Sequence, residues 1–416
     1  MVNYTRYILD NGLTVVIHED KSTPLVALNV LYKVGSKDEN PDKTGFAHLF
    51  EHLMFSGTEN VSNYDDIIQN AGGENNAFTN NDVTNFYSVV PSENFETLLW
   101  LEADRMKGPV FSQKSIDVQK KVVIEEFKET CLNEPYGDIW HHLSDLAYQK
   151  HSYKWPTIGK SIHHIESATK SDVEYFFKNF YKPNNAILSI AGNIDTKSAL
   201  DLVKQWFSDI RPSEIIRNVA FFDDDQRKME SKEVKAKVPL PSIHIGFAMP
   251  DRLHDDYYAV DLLSDILGSG RSSRLYRNLV VENELLAYTD AFISGTRDPG
   301  LLIIEGKPSE GMTIEQAKEG IWGIIEELKN RPVLEKELQK IKNNTESNLV
   351  FSETSVLNKA ISLGYYEFLE NLDLINEEVK KYLSVTTDDI LRVANQMFSR
   401  DRALELIYTP QKISAF

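Results

Sequence analysis

Residues 168–190 of the chain, ATKSDVEYFFKNFYKPNNAILSI, show the same order of structural signals as residues 385–407, VTTDDILRVANQMFSRDRALELI. The two stretches align without gaps, and Thr169 lies opposite Thr386. Each stretch continues with an amphipathic helical pattern, a polar turn and an apolar run of strand length. Because the order of elements is shared as well as the apolar positions, the chain is predicted to be a duplication.

A second pair of segments supports the duplication. AHLFEHLMFSG (Ala47–Gly57) aligns with VDLLSDILGSG (Val260–Gly270), again without gaps. The apolar positions agree but the polar ones differ: His48, Glu51 and His52 stand opposite Asp261, Ser264 and Asp265. Any chemistry that depends on those three side chains is therefore expected in the first half alone.

The apolar patterning predicts an α+β protein, since short strand-like runs alternate with long helical ones. The predicted strands are Leu13–His18, Val26–Tyr32, Phe86–Val90, Ala186–Ala191, Ile243–Ala248, Leu301–Glu305 and Ala403–Tyr408. The predicted helices are Phe46–Ser56, Ser92–Met106, Ser112–Glu129, Asp172–Phe180, Ala259–Leu267, Ile314–Lys329 and Leu334–Phe351.

A charged segment predicts the boundary between the halves. It contains the acidic run at residues 223–225 and the charge-dense stretch KMESKEVKAK. We expect an N-terminal domain of residues 1–215, a linker of residues 216–235 and a C-terminal domain of residues 236–416.

Composition excludes several classes of function. The formal net charge of -18 argues against nucleic acid as a partner, because phosphate binding needs an excess of Lys and Arg. No apolar run is long enough to predict a membrane span. The N-terminus lacks the pattern of a signal peptide, and the single cysteine, Cys131, fits a reducing compartment. These features predict a cytoplasmic protein, with the periplasm as the alternative if a signal peptide has been removed.

The helix that contains His48, Glu51 and His52 predicts a metal site. Residues four apart lie above one another on a helix, so the two imidazoles can share one ion. Glu51 flanks the same face and can take a proton from a metal-bound water. A solvated surface helix is the alternative, but the many apolar neighbours, including Phe46 and Phe50, indicate burial.

A catalytic zinc site needs a third protein ligand beside the two histidines. The predicted helix Ser112–Glu129 offers Glu125, Glu126 and Glu129. Spacing alone does not choose among these three glutamates.

The pattern H-x-x-E-H and its flanks resemble the pitrilysin/insulinase family of zinc peptidases, which includes mitochondrial processing peptidase. The resemblance covers essentially the whole chain. It implies one Zn²⁺ per chain, with Glu126 as the third ligand, and two similar halves that each pack helices on a mainly antiparallel sheet. It also implies that Gly72–Thr79 forms an edge strand that binds the substrate backbone through Asn76, Ala77 and Phe78.

The chain departs from the family pattern at two places. Gln119 stands where many members have a glutamate, seven residues before the glutamate ligand. In the second half, members carry an Arg and a Tyr that hold the substrate; here Val280 replaces the Arg, and Tyr288 matches the Tyr. We therefore expect a heterodimer with a related, metal-free subunit that supplies Arg and Tyr, and a homodimer as the second choice.

The function predicted from these residues is a zinc metalloendopeptidase that hydrolyses unfolded peptides or protein segments. Two alternatives share the fold: a non-proteolytic assembly subunit and a peptide-binding module. Both are disfavoured because His48, Glu51, His52 and Glu126 are all present.

Overall fold

The structure, a computed structural model, describes residues 1–217 and 229–411. Contacts divide these residues into two compact units. Unit 1 comprises the described residues of 1–127, 155–220 and 350–377. Unit 2 comprises the described residues of 128–154, 221–349 and 378–416. Each unit therefore includes one segment from the other half of the sequence, which a division in sequence order does not anticipate.

The described residues form strands and helices throughout both units. The strands are β1 (Thr5–Ile8), β2 (Thr14–Glu19), β3 (Leu25–Tyr32), β4 (Glu74–Thr79), β5 (Thr84–Pro91), β6 (Ala186–Gly192), β7 (Glu230–Ala236), β8 (Ser242–Met249), β9 (Leu286–Ile293), β10 (Gly300–Pro308) and β11 (Leu404–Pro410). The α-helices are α1 (Phe46–Leu53), α2 (Tyr64–Asn70), α3 (Phe95–Lys107), α4 (Gln113–Phe127), α5 (Ile139–Ala147), α6 (Ile162–Glu166), α7 (Lys170–Phe180), α8 (Thr196–Phe207), α9 (Tyr257–Gly268), α10 (Ile314–Asn330), α11 (Glu335–Ser352), α12 (Val356–Phe368), α13 (Leu374–Ser384) and α14 (Thr387–Met397). None of these helices has both the length and the apolar character that crossing a bilayer requires.

Unit 1 is built on a six-stranded sheet in the order β1-β2-β6-β3-β5-β4. Only β2 and β6 pair in parallel; the other neighbours are antiparallel. β3 and β6 are buried along almost their whole length, because helices cover both faces of the sheet. One face packs on the core that contains α1, α3, α7 and α8, and the other packs on α12.

Unit 2 repeats this topology. Its sheet has the order β7-β11-β8-β10-β9, which matches β2-β6-β3-β5-β4 strand for strand, including one parallel pair, β7 with β11. One face packs on α9, α10 and α14, and the other packs on α5. The predicted fold class, two similar α+β halves with mainly antiparallel sheets, is confirmed.

The predicted linker contains part of this sheet. Residues 230–236 form β7, the counterpart of β2, whereas residues 218–228 of the predicted linker lie outside the described residues. β7 forms one edge of its sheet, and its residues alternate between half-buried and exposed positions. Its sequence, ESKEVKA, is therefore mostly polar, and for that reason it is predicted from the sequence to be part of a linker.

The two repeated stretches of sequence form the same local structure. The Thr169 hydroxyl accepts from the Asp172 N–H (3.2 Å) while the Asp172 carboxylate accepts from the Thr169 N–H (3.0 Å), which caps α7. Thr386 and Asp389 exchange the same two bonds, at 3.1 and 2.9 Å, at the start of α14. These capping boxes begin the helices that lead into β6 and β11.

Helix α12 lies close against the sheet of unit 1 at Gly364. A Cβ atom at this position would lie 2.7 Å from Asn29 Nδ2 and 2.9 Å from Ser189 Oγ. Both groups are committed to buried hydrogen bonds, since Asn29 donates to Ser189 (3.2 Å) and Ser189 donates to the Ala360 carbonyl (2.7 Å). The helix can therefore lie flat on the sheet only with glycine here.

We expect Gly364→Ala to lower the free energy of unfolding by about 1–3 kcal/mol, because the added methyl group overpacks this contact. The matched control is Gly323→Ala in α10, where a Cβ would meet nothing within 4 Å. That change should stabilise by about 0.5–1 kcal/mol through helix propensity alone. Denaturant titration of both variants is the measurement; equal stabilisation by both would contradict the close approach.

Candidate metal centre

Helix α1 is mostly buried, but its two histidine side chains are partly exposed. Its apolar residues, Phe46, Leu49 and Phe50 among them, are almost fully buried. The side chains of His48 and His52 retain 13% and 24% of their exposure. One side of the helix thus anchors it in the core, and the histidines lie on the accessible side.

The start of α1 is held by a buried carboxyl group. Glu39 accepts hydrogen bonds from the N–H groups of Gly45 (2.9 Å) and Ala47 (2.8 Å) and from the Trp155 indole (3.0 Å). Gly45 itself has φ +87° and offers no side chain to cap the helix. Burial raises the pKa of Glu39 to about 8. Glu39 replaces the missing cap and fixes where the first turn begins.

His48, His52 and Glu126 bring three potential ligand atoms together. Nε2 of His52 lies 3.4 Å from Nε2 of His48, and the Glu126 carboxylate oxygens lie 3.6 Å from His48 and 3.5 Å from His52. Ligand atoms about 2.0–2.1 Å from a tetrahedral ion are roughly 3.3–3.4 Å apart, so this triangle has the size that zinc requires.

The charge states of these groups suit a cation. Burial lowers the pKa of His48, which favours the neutral imidazole that binds metals. Contact with His52 lowers the pKa of Glu126, which favours the carboxylate. Nδ1 of His48 is buried and has no hydrogen-bond partner among the described residues.

Glu126 is the glutamate of α4 that belongs to this group. Its side chain is 39% exposed, and its carboxylate oxygens face both histidines. Glu125 and Glu129 are exposed and do not belong to the group. Within residues 1–217 and 229–411, the set His48, His52 and Glu126 is the only group of three acidic, histidine or cysteine side chains close enough to share an ion.

Glu51 lies beside this group and is held by the sheet. The Thr79 hydroxyl donates a hydrogen bond of 2.5 Å to Oε2 of Glu51. Thr79 is the last residue of β4, so the bond joins α1 to the edge of the sheet.

The predicted peptide-binding residues of unit 1 lie on β4. Among the described strands, β4 pairs only with β5, so it forms the edge of its sheet. Asn76 is exposed and Phe78 is 38% exposed, whereas Ala77 is half-buried against the core. The Asn76 side chain accepts a hydrogen bond of 2.8 Å from the Ala77 N–H.

Tyr288, the remaining predicted substrate residue, belongs to unit 2. It is 43% exposed on β9, the edge strand of that sheet, and Lys307 Nζ lies 4.8 Å from the centre of its ring. Val280 is half-buried against the core of unit 2, and the nearby Arg277 donates to Glu282 (2.8 Å).

Sequence reasoning did not find Glu39 or the role of Thr79. The partners of Glu39 include Trp155, which is distant in the chain, and Thr79 bonds a residue on another element. No local pattern signals such contacts, although Thr79 lies within the stretch predicted as an edge strand.

Two family models match the chain in succession. The model described as "Insulinase (Peptidase family M16)" matches residues 14–161, and the model described as "Peptidase M16 inactive domain" matches residues 167–345. The second match covers Asp261, Ser264 and Asp265, which replace the three polar residues of the first half.

Known proteins with similar sequences and structures match most of the chain, and two of them match it over nearly their whole length. The zinc protease PqqE of Helicobacter pylori is 27% identical over 97% of this chain and 92% of its own. The probable mitochondrial-processing peptidase subunit beta of Arabidopsis thaliana is 25% identical over 70% of this chain and 57% of its own. The crystal structure of a protease from Helicobacter pylori superposes with a TM-score of 0.93 at 27% identity, covering 99% of this chain and 100% of that one. Together with the two family models, these matches show that the chain belongs to the M16, or insulinase, family of peptidases.

Proposed function

We propose that the chain is a zinc-dependent endopeptidase that cleaves unfolded peptides or protein segments. The observation that carries the proposal is the triangle formed by His48, His52 and Glu126, with the Glu51 carboxylate beside it. The names of relatives such as PqqE, which include "zinc protease", support the same conclusion.

His48, His52 and Glu126 would hold one Zn²⁺ per chain. Two imidazoles and a carboxylate form a donor set typical of catalytic zinc, and three ligands leave a fourth position for water. A zinc ion bound there would lower the pKa of that water and polarise the substrate carbonyl.

Glu51 serves as the general base in this proposal. It accepts the proton released as the water attacks the peptide carbonyl and can return it to the leaving amine. The Thr79 hydroxyl occupies one carboxylate oxygen of Glu51, at 2.5 Å, and the other oxygen remains for the water.

The free edge of β4 supports an extended peptide as substrate. Main-chain hydrogen bonds to an edge strand bind many sequences, because they do not depend on the side chains of the peptide. Asn76, Ala77 and Phe78 would contact the peptide here. Tyr288 is proposed as a substrate-binding residue on the family resemblance alone.

Two other functions remain alternatives within the family. An assembly subunit without proteolytic activity, or a module that only binds peptides, would not need a general base. Glu51 beside three potential ligands favours catalysis over both.

We further propose that the active form is a heterodimer in the cytoplasm. Arg277, three positions before Val280 in the sequence, pairs with Glu282, so a second chain would supply the Arg and Tyr. The relative named "subunit beta" supports a multi-subunit form, while the single Cys131 supports a reducing compartment. A homodimer and a periplasmic location are the alternatives.

Glu51→Gln should abolish cleavage while the protein keeps its metal. Removing a general base typically costs about 10²–10⁴-fold in rate. Zinc content and hydrolysis of an internally quenched peptide are to be measured on the same sample. If metal and activity are lost together, Glu51 is a ligand and not the base.

Glu126→Gln should weaken zinc retention by at least roughly 10–100-fold, the loss that even outer-shell partners of a metal cause. Glu125→Gln and Glu129→Gln are the matched controls, since both glutamates are exposed and neither joins the ligand set. Competition with a chromogenic chelator measures retention. A large loss for Glu125→Gln with none for Glu126→Gln would overturn the assignment.

Adding the metal-free partner should raise kcat/KM by roughly tenfold or more, which corresponds to about 1.4 kcal/mol of transition-state stabilisation. The purified chain is assayed alone and then with the product of a neighbouring reading frame that lacks H-x-x-E-H. Full, saturable activity of the isolated chain that does not change on addition would refute the heterodimer.

A further inference from the structure

The pattern of hydrogen bonds between β4 and β5 decides which residues of β4 direct their backbone N–H and C=O groups to the free edge. The Asn80 N–H donates to the Val83 carbonyl (3.0 Å) just beyond the strand, and Thr79 lies opposite Thr84. In an antiparallel pair, residues bonded to the partner alternate with residues whose N–H and C=O point away from it. Asn75, Ala77 and Thr79 therefore direct their backbone groups to the free edge.

The hydrogen bond of the Ala77 N–H is consistent with this pattern. It donates to the side chain of its own neighbour, Asn76, at 2.8 Å. Since β4 ends the sheet of unit 1, no described strand lies on this side of it. The Asn76 amide thus occupies a position that the carbonyl of a bound peptide could take.

The side chains of the same alternate residues lie on the covered face of β4. Asn75, Ala77 and Thr79 are half-buried, whereas Glu74, Asn76 and Phe78 on the other face are exposed. Only Thr79 of these residues bonds to α1, through its hydroxyl and Oε2 of Glu51. Its backbone faces the peptide edge while its side chain holds the proposed base.

We propose that Thr79 is the positioning residue of Glu51 and that it couples the register of the bound peptide to the base. An extended peptide paired with the Thr79 backbone lies beside a carboxylate whose orientation the same residue fixes. The hydroxyl stays protonated and donates to Oε2 throughout, so the proton from water goes to the other oxygen of Glu51. The inference rests on the proposed peptidase function and adds the residue that aligns substrate and base.

The test compares Thr79→Val and Thr79→Ser in the full-length chain, in the assembly that cleaves peptide. Valine keeps the shape and the backbone but removes the hydroxyl, so kcat should fall roughly 10–100-fold, as expected for a lost charge-assisted bond. KM should change less than about threefold, because the backbone edge is intact. Thr79→Ser should restore most of kcat.

Thr409→Val is the matched control. Its hydroxyl also donates from a strand to a glutamate, Glu233, at 3.1 Å, but within unit 2. This variant should keep wild-type kcat. Zinc content and the midpoint of thermal unfolding are measured for every variant, and both should remain at wild-type values for Thr79→Ser and Thr79→Val. If Thr79→Val does not fold, Thr79→Ala carries the same expectation.

A double-mutant cycle separates positioning from general damage. In a Glu51→Gln background, Thr79→Val should cause no further loss of the residual rate, because Thr79 acts through Glu51. A wild-type kcat for Thr79→Val, failure of Thr79→Ser to restore it, or additive losses in the cycle would each overturn the inference. A wild-type rate for Glu51→Gln would instead overturn the proposed function.

Discussion

The bond between Glu39 and the first turn of α1 is the constraint on which the candidate metal centre depends. Two imidazoles on one helix keep their separation, but their direction in space follows the helix. Gly45 cannot cap that helix with a side chain, so the N–H groups of Gly45 and Ala47 rely on Glu39. Leaving such buried donors without an acceptor costs about 1–3 kcal/mol for each group. Trp155 donates to the same carboxyl group, and the helix placed by these bonds has His48 3.6 Å from Glu126 of α4.

The sequence predicted the parts of the fold whose signals are local. Each predicted strand and helix overlaps one in the structure, because buried strands such as β3 and β6 are continuously apolar and the long helices are strongly periodic. Strands at sheet edges were missed where their exposed side carries charge, as in β7. The choice of Glu126 over Glu125 and Glu129 came from family resemblance, since the distance between α4 and α1 is set by tertiary packing. Glu39 and Thr79 were missed for the same reason.

The duplicated units have diverged at equivalent positions of α1 and α9. Where the first unit has His48 and His52, the second has Asp261 and Asp265. Burial raises the pKa of Asp265 to about 6, and the Tyr382 hydroxyl donates to Asp261 at 2.5 Å. These carboxyls are thus engaged inside unit 2. One copy of the fold retains the geometry of a ligand set, while the other has turned the same helix face into internal packing.

Residues 350–377, the segment of unit 1 that comes from the second half of the sequence, determine when unit 1 can finish folding during synthesis. Ala27 and Ala191 lie on the sheet face that Val356 and Ala360 of α12 cover. The ribosome makes every strand of that sheet before it reaches α12, and unit 2 gains α5 well before its own strands exist. The apolar face of the nascent first sheet therefore stays uncovered until α12 has emerged. Transiently exposed apolar surface of this kind is prone to aggregation, so the interval before α12 is made is the vulnerable stage of synthesis.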